Sequence, residues 1–271
     1  MLRMSFNDVT IRNFLHIAIA LMIRLFVTTD LSLHQNVSLS KEQAHYLANV
    51  MRRKEGQEVL LFNGRDGEWN ATITLLNKRN AELLLNKQTK TQQDEPKLCL
   101  CFAPVKNAPL HFLVQKATEL GVSELQPIIT RHTVVSRVNT EKLKANVLEA
   151  AEQCGRLTMP AVHEPIPFKQ LLEQNEKAST IIFCDETGGG QSALKALSSL
   201  PVDCFPTILI GPEGGFSADE VQQLHADEHT VAIGLGPRIL RADTAALAAL
   251  TVVQAAIGDW DKQPKFNAEE A

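Results

Sequence analysis

Two glycine-broken segments near the C-terminal end constrain this chain more than any other feature. The first is Ile208-Leu209-Ile210-Gly211-Pro212-Glu213-Gly214-Gly215-Phe216-Ser217. The second is Ile233-Gly234-Leu235-Gly236-Pro237-Arg238-Ile239-Leu240-Arg241-Ala242-Asp243-Thr244-Ala245. Each starts as an apolar strand, breaks at glycine and proline, and enters a helix. Short continuous apolar strands are the mark of a parallel sheet covered on both faces. Loops at the same ends of neighbouring parallel strands form a crevice for a small ligand. Glycine lets backbone N–H and C=O groups approach that ligand with no Cβ in the way.

The first loop runs into Ser217-Ala218-Asp219-Glu220. This is a capping box with Ser217 at N-cap and Glu220 at N3, and Phe216 and Val221 stand where a hydrophobic staple belongs. There is no Gly-Lys-Ser/Thr step, so it is not a Walker loop. Asp219 and Glu220 in the first helical turn would repel an anion, so a neutral or cationic ligand suits the loop better. The second loop places Arg238 and Arg241 on either side of Ile239-Leu240. These arginines can face RNA phosphate or a negatively charged base, or form a structural ion pair with Asp243 or Glu213. The helix from Thr244 to Ile257 is almost entirely alanine and aliphatic. Such a helix is expected to be buried all round, against the loops on one side and a second subunit on the other.

Before these loops the chain changes rhythm once. Residues 23–85 read as strands at Arg24–Thr28, Glu58–Phe62, Trp69–Leu76 and Ala81–Leu85. A helix capped by Ser40-Lys41-Glu42-Gln43 runs on through Met51. Residues 88–96 are polar and read as a linker. Strand and helix then alternate: strands at Leu98–Val105, Leu125–Thr130, Thr180–Cys184 and Thr207–Ile210, helices at Leu110–Leu120, Glu141–Cys154, Ala193–Leu200 and Ser217–Ala226. The expected class is α/β, a small mostly-β domain followed by a parallel-sheet domain.

The 271 residues suit one large or two modest domains, and the net charge of −4 means that any nucleic acid must be met by local basic patches. The five cysteines form no CxxC pair and read as buried small residues of a chain kept in a reducing cytoplasm. The apolar run from Ile17 to Ile23 is shorter than the roughly 20 residues of a membrane span. Met22 resembles a natural start, which makes residues 1–21 an expected upstream extension. Basic candidates for RNA contact are Arg52-Arg53-Lys54, which could equally satisfy a helix C-terminus, and Arg131 at a strand end. Glu152 and Arg156 are four apart and could pair with each other.

At Leu209-Ile210-Gly211-Pro212-Glu213-Gly214-Gly215 and at Leu235-Gly236 with Arg238-Ile239-Leu240-Arg241, the chain resembles the knotted SPOUT-class methyltransferases. More narrowly, it resembles the bacterial 16S ribosomal RNA uracil-N3 methyltransferases. Lys106, Gln115 to Val122, Pro127, Glu152 to Arg156 and Phe62-Asn63-Gly64 match the same pattern. Asp243 departs from it, standing where the pattern usually has glutamate, and residues 1–21 have no counterpart.

The resemblance implies a PUA-like β-barrel over residues 22–88, a linker over 89–96, a SPOUT domain with a trefoil knot over 97–258, and a polar tail over 259–271. It implies S-adenosylmethionine held by Leu209, Ile210, Gly211, Pro212, Glu213, Gly214, Gly215, Leu235, Gly236, Ile239, Leu240 and Thr244. The implied partners are 16S rRNA or the small ribosomal subunit and a second copy of the chain, with no membrane. Arg24, Arg52, Arg53, Lys106, Arg131 and Arg156 are the RNA-binding candidates. Arg241, Arg131 and Glu213 are the catalytic candidates, with Asp243 also open as the base. No metal is called for, because the methyl donor is already activated. Rival readings are a non-catalytic RNA-binding module, a nucleotide-binding hydrolase or kinase, and a SPOUT enzyme acting on another RNA position.

Overall fold

The computed structural model describes residues 22–135, 137–174, 179–201 and 205–262. The expected extension over residues 1–21, residues 263–271 of the expected tail, and Cys204 lie outside the described residues. Among the described residues two compact units are present: one comprises residues 22–94 and Gly155–Thr158, and the other Glu95–Cys154 and residues 159–262.

The first unit contains β1 (Arg24–Phe26), β2 (Asn36–Ser38), α1 (Lys41–His45), β3 (Glu58–Phe62), β4 (Glu68–Leu76) and β5 (Ala81–Lys90). They form one sheet in the order β1-β3-β4-β5-β2. β1 pairs with β3 in parallel, and the other pairings are antiparallel. Three register shifts between β4 and β5 curl the sheet, since each bulge adds local twist. Alternating side chains, among them Val59, Leu61, Leu83 and Leu85, fill the interior. Ser40 caps α1 with both arms of the capping box. The α-helix ends at His45, earlier than expected, and the chain continues as a π-helical turn over Tyr46–Val50. Arg52 follows in a left-handed conformation (φ 51°). β5 is longer than expected: Gln88 pairs with Trp69 and Lys90 with Glu68, so the first residues of the expected linker complete the sheet.

In the second unit the strands are β6 (Cys99–Phe102), β7 (Glu124–Ile129), β8 (Ala161–Val162), β9 (Ile166–Pro167), β10 (Ser179–Cys184), β11 (Gln191–Ser192), β12 (Phe205–Ile210) and β13 (Thr230–Gly234). The helices are α2 (Asn107–Glu119), α3 (Thr140–Cys154), α4 (Phe168–Gln174), α5 (Ala193–Leu197), α6 (Ala218–Ala226) and α7 (Ala242–Ile257). The sheet order is β11-β13-β10-β12-β6-β7-β8, with β9 beside β7. Every pairing in it is parallel.

Both faces of this sheet are covered, which is why its strands are continuously apolar. Leu100, Phe102, Ile182, Ile208 and Ile233 pack under α2, α3, α5 and α7. On the other face Cys101, Ile181, Phe183 and Leu209 pack under α4 and α6. α7 buries one face within the chain. Ala242, Ala246, Ala249, Leu250 and Val253 are buried, but Thr244, Thr251, Ala255 and Ala256 are exposed. Alanine is apolar enough to raise the mean hydropathy of a helix and small enough to sit at a surface at little cost. No helix among the described residues is long and apolar enough to cross a membrane.

Candidate active site

β13, β10 and β12 are neighbours in the sheet and run parallel, so the loops that follow them emerge at the same edge. Those loops are residues 235–241, 185–190 and 211–217. They surround a cavity of about 690 Å³, within the usual range for a small-molecule site. Its wall takes Ile210 to Glu213 with Phe216 from one loop, and Gly234 to Ala242 with Ala245 from another. Cys184 to Gly188 and Gly190 to Ser192 complete it.

Close backbone packing holds the loops in place. A Cβ on Gly211 would lie 2.7 Å from the Phe216 ring, and one on Gly190 would lie 2.5 Å from the Ile233 carbonyl carbon. Phe216 is itself fixed edge-on against Phe183, with ring centroids 5.4 Å apart. The capping box at α6 forms: Ser217 N donates to Glu220 Oε2 at 2.8 Å and Glu220 N to Ser217 Oγ at 3.4 Å. Glu220 is buried, and its other oxygen accepts from Arg131 N at 2.8 Å. His132 Nδ1 lies 3.1 Å from Gly215 O, a bond carried by the Nδ1–H form of the ring. The turn after β7 is thereby fastened to the glycine loop.

The loop after β10 is shaped by Asp185, whose side chain is fully buried. Its Oδ1 accepts from Thr187 N at 2.8 Å and from Thr187 Oγ1 at 2.7 Å. Its Oδ2 lies 3.3 Å from His225 Nε2, close enough for an ionic contact, but the geometry is not that of a hydrogen bond. A Cβ on Gly215 would run into Glu186 Oε1, so Glu186 rests against the glycine loop. Cys184 is a half-buried residue at the wall, and burial of its thiol pushes the pKa up to about 12.

Charge at the cavity is divided between loops. Glu186 and Glu213 come from the two loops that touch each other, and Arg238 and Arg241 from the third. All four are exposed. Arg238 and Arg241 form no ion pair with Glu213 or Asp243 among the described residues. Asp243 Oδ1 instead accepts from Thr244 N at 2.8 Å.

Of the residues expected from sequence, Ile210, Gly211, Pro212, Glu213, Leu235, Gly236, Ile239, Leu240 and Arg241 share the cavity wall. Four do not. Leu209 points to the opposite face of the sheet and is fully buried there, because neighbouring strand residues face opposite ways. Gly214 sits against the His132 side chain and Gly215 against Glu186. Thr244 is exposed, one helical step before the wall residue Ala245. Arg131 has its backbone tied to Glu220 and its side chain exposed outside the wall. Lys106 is exposed at the N-cap of α2.

In the first unit Arg24, expected at an RNA contact, is enclosed by partners within the chain. Its Nε pairs with the buried Glu68 at 2.6 Å, its Nη2 donates to Arg156 O at 2.7 Å, and the guanidinium lies 4.4 Å from the Phe62 ring centroid. A side chain only 8% exposed is held in the core of this unit. Arg52 is exposed, Arg53 and Arg156 half-buried. The loop after β10 was missed from sequence. Its signal was Gly188-Gly189-Gly190 following an apolar strand, the same punctuation that marks the other two loops.

Comparison with known proteins agrees with this geometry. A family described as RNA methyltransferase domain matches residues 92–254, and one described as RNA methyltransferase PUA domain matches residues 39–86. A Rickettsia conorii protein named ribosomal RNA small subunit methyltransferase E is 34% identical over 232 residues, covering 85% of this chain and 94% of that protein. The protein of the same name from Synechocystis is 32% identical, covering 86% of this chain and 77% of its own. The crystal structure of a ribosomal RNA small subunit methyltransferase E from Neisseria gonorrhoeae, bound to S-adenosyl methionine, aligns with a TM-score of 0.79 at 28% identity. It covers 88% of this chain and 99% of that one. With 163 consecutive residues (92–254 inclusive) matching one domain and relatives that align over most of both chains, this chain belongs to the RNA methyltransferase family that includes the ribosomal RNA small subunit methyltransferases E.

Proposed function

We propose that the chain methylates N3 of a uridine in 16S rRNA of the small ribosomal subunit, using S-adenosylmethionine, in the cytoplasm. The observation that carries this reading is the three-loop cavity, with its glycine cradle, with Glu186, Glu213, Arg238 and Arg241 in no ion pair and with no lysine in its wall among the described residues. The residues fit the donor. Backbone groups of Gly211, Leu235 and Gly236 and the apolar sides of Ile210 and Leu240 suit an adenosine, and carboxylates suit a cation. The donor supplies a methyl group already activated by positive charge on sulfur.

The chain's own residues then have three tasks. The loops hold the donor methyl in line with the uracil nitrogen, which supplies much of the rate. Arg241 faces the negative charge that develops on the uracil as its N3 proton leaves. Glu213, the wall carboxylate nearest this description, or solvent takes that proton; Asp243 is occupied at the start of α7. N3 lies on the pairing edge, so the target base must be unpaired or drawn out of its stack. Arg52, Arg53, Lys106, Arg131 and Arg156 are the proposed RNA contacts. The exposed small face of α7 and the 92% exposed Ile239 suit a second copy of the chain, and the trefoil-knotted threading belongs to the same reading.

The test is methyl transfer from labelled donor to undermethylated small subunits, followed by mapping of the modified nucleoside. A 3-methyluridine product is expected. Label on a ribose or another base would overturn the N3 assignment, and no transfer with no donor binding would overturn the enzyme reading.

A further inference from the structure

The three carboxylates at the cavity stand on the two loops that touch. Glu213 belongs to the glycine loop, Glu186 lies against that loop at Gly215, and the buried Asp185 is beside it in sequence. Glu186 and Glu213 form no ion pair or hydrogen bond among the described residues. Asp185 has one oxygen satisfied by Thr187, and the other, without a hydrogen bond, lies 3.3 Å from His225 Nε2. The two arginines stand apart on the loop after β13, both exposed to water. The cavity therefore has an acidic side and a basic side, and of their charged groups only Asp185 is buried. Charge interactions strengthen as water is excluded, so a ligand that fills the cavity and displaces its water feels the carboxylates beside it more strongly than it would in solution.

We propose that this acidic side, with Glu186 as its principal group, makes the cavity prefer the positively charged sulfonium donor over the neutral thioether left after transfer. The inference rests on the methyl-donor reading of the cavity and adds to it a selectivity that the glycine cradle cannot provide. Backbone groups that read adenosine treat donor and product alike, whereas a fixed negative charge separates ligands that differ by one positive charge. Asp185 is the positioning residue. Its two bonds from Thr187 fold the loop so that Glu186 rests over Gly215. Product release follows from the same arrangement, because the attraction is lost when sulfur becomes neutral.

The experiment is calorimetric binding of S-adenosylmethionine, S-adenosylhomocysteine and sinefungin, whose amine replaces the sulfonium, to the full chain and to Glu186→Gln and Glu186→Lys. Glu186→Gln should weaken the donor and sinefungin about fivefold at low salt and leave S-adenosylhomocysteine nearly unchanged. Glu186→Lys should weaken the two cations further. High salt should narrow the difference in the parent chain. Equal effects on all three ligands, or none on any, would overturn the proposal. Failure of the parent chain to bind either adenosyl ligand would instead overturn the methyl-donor reading beneath it. Thermal unfolding of each variant, expected to match the parent because Glu186 is exposed and forms no ion pair among the described residues, separates a charge effect from misfolding.

Discussion

Arg131 N donates to Glu220 Oε1 across 2.8 Å, although the two residues are far apart in the chain. Glu220 uses its second oxygen to hold Ser217 N and Ser217 Oγ. A single buried carboxylate thus closes the start of α6 and fixes the turn after β7, which carries one of the RNA-facing candidates.

Replacing Glu220 by Ala should therefore destabilise the protein by about 1–3 kcal/mol, from a lost cap and unsatisfied N–H groups. Urea unfolding measures this. The same variant should lower turnover more than it lowers donor affinity, since it frees Arg131 and leaves the cavity wall in place. An unchanged midpoint would refute the role given to Glu220.

Gly190 and Gly234 separate close packing from mere loop composition. A Cβ on Gly190 meets the backbone of Ile233 at 2.5 Å, whereas on Gly234 the nearest atom is 3.8 Å away. Gly190→Ala should push β11 from β13, destabilise by about 1–3 kcal/mol and weaken donor binding. Gly234→Ala should be tolerated. Equal behaviour of the two in thermal unfolding and donor titration would contradict the packing argument.

Arg241 lines the cavity, is exposed, and makes no ion pair among the described residues. Arg241→Ala should leave far-ultraviolet dichroism and stability unchanged while lowering methyl transfer by about a hundredfold or more. Retained activity would remove it from the reaction.

Arg24→Ala should do the opposite. It leaves the buried Glu68 without its 2.6 Å partner, and breaking a buried pair in this way destabilises by about 3–5 kcal/mol. Lys90, 3.5 Å from the other Glu68 oxygen, should recover part of that. Denaturant melts of the parent and variant decide it; loss of RNA affinity with unchanged stability would restore Arg24 as an RNA contact.

Thiol chemistry offers a check on burial. Cys101 is held well above the usual thiol range by its hydrogen bond to Cys99 and by burial, and Cys184 is pushed up to about 12 by burial. At pH 8 both stay protonated, and the thiolate is the reactive form. Iodoacetamide should modify the exposed Cys154 much faster than either. Peptide mapping showing rapid loss of Cys184 would mean that the cavity wall opens in solution.

Local chemistry decided what was legible in the chain. Ser40 and Ser217 announce their helices because a capping box is complete within four residues. The apolar strands Thr207–Ile210 and Thr180–Cys184 declare a doubly covered sheet by their lack of alternation. Gly211-Pro212-Glu213-Gly214-Gly215 and Gly234 to Arg241 announce glycine-broken loops for the same local reason, and the family resemblance rests on those residues. Tertiary structure decided the rest. Which faces of α7 are buried depends on what packs there, not on its alanines. Arg24 carries no local sign that Glu68 and Arg156 O await it. Strand neighbours are chosen by the whole sheet, so only the fold could bring the loop after β10 between the other two and set Glu186 against Gly215. A residue's own sequence encodes its conformational preference; its partners lie too far along the chain for any local pattern to name them.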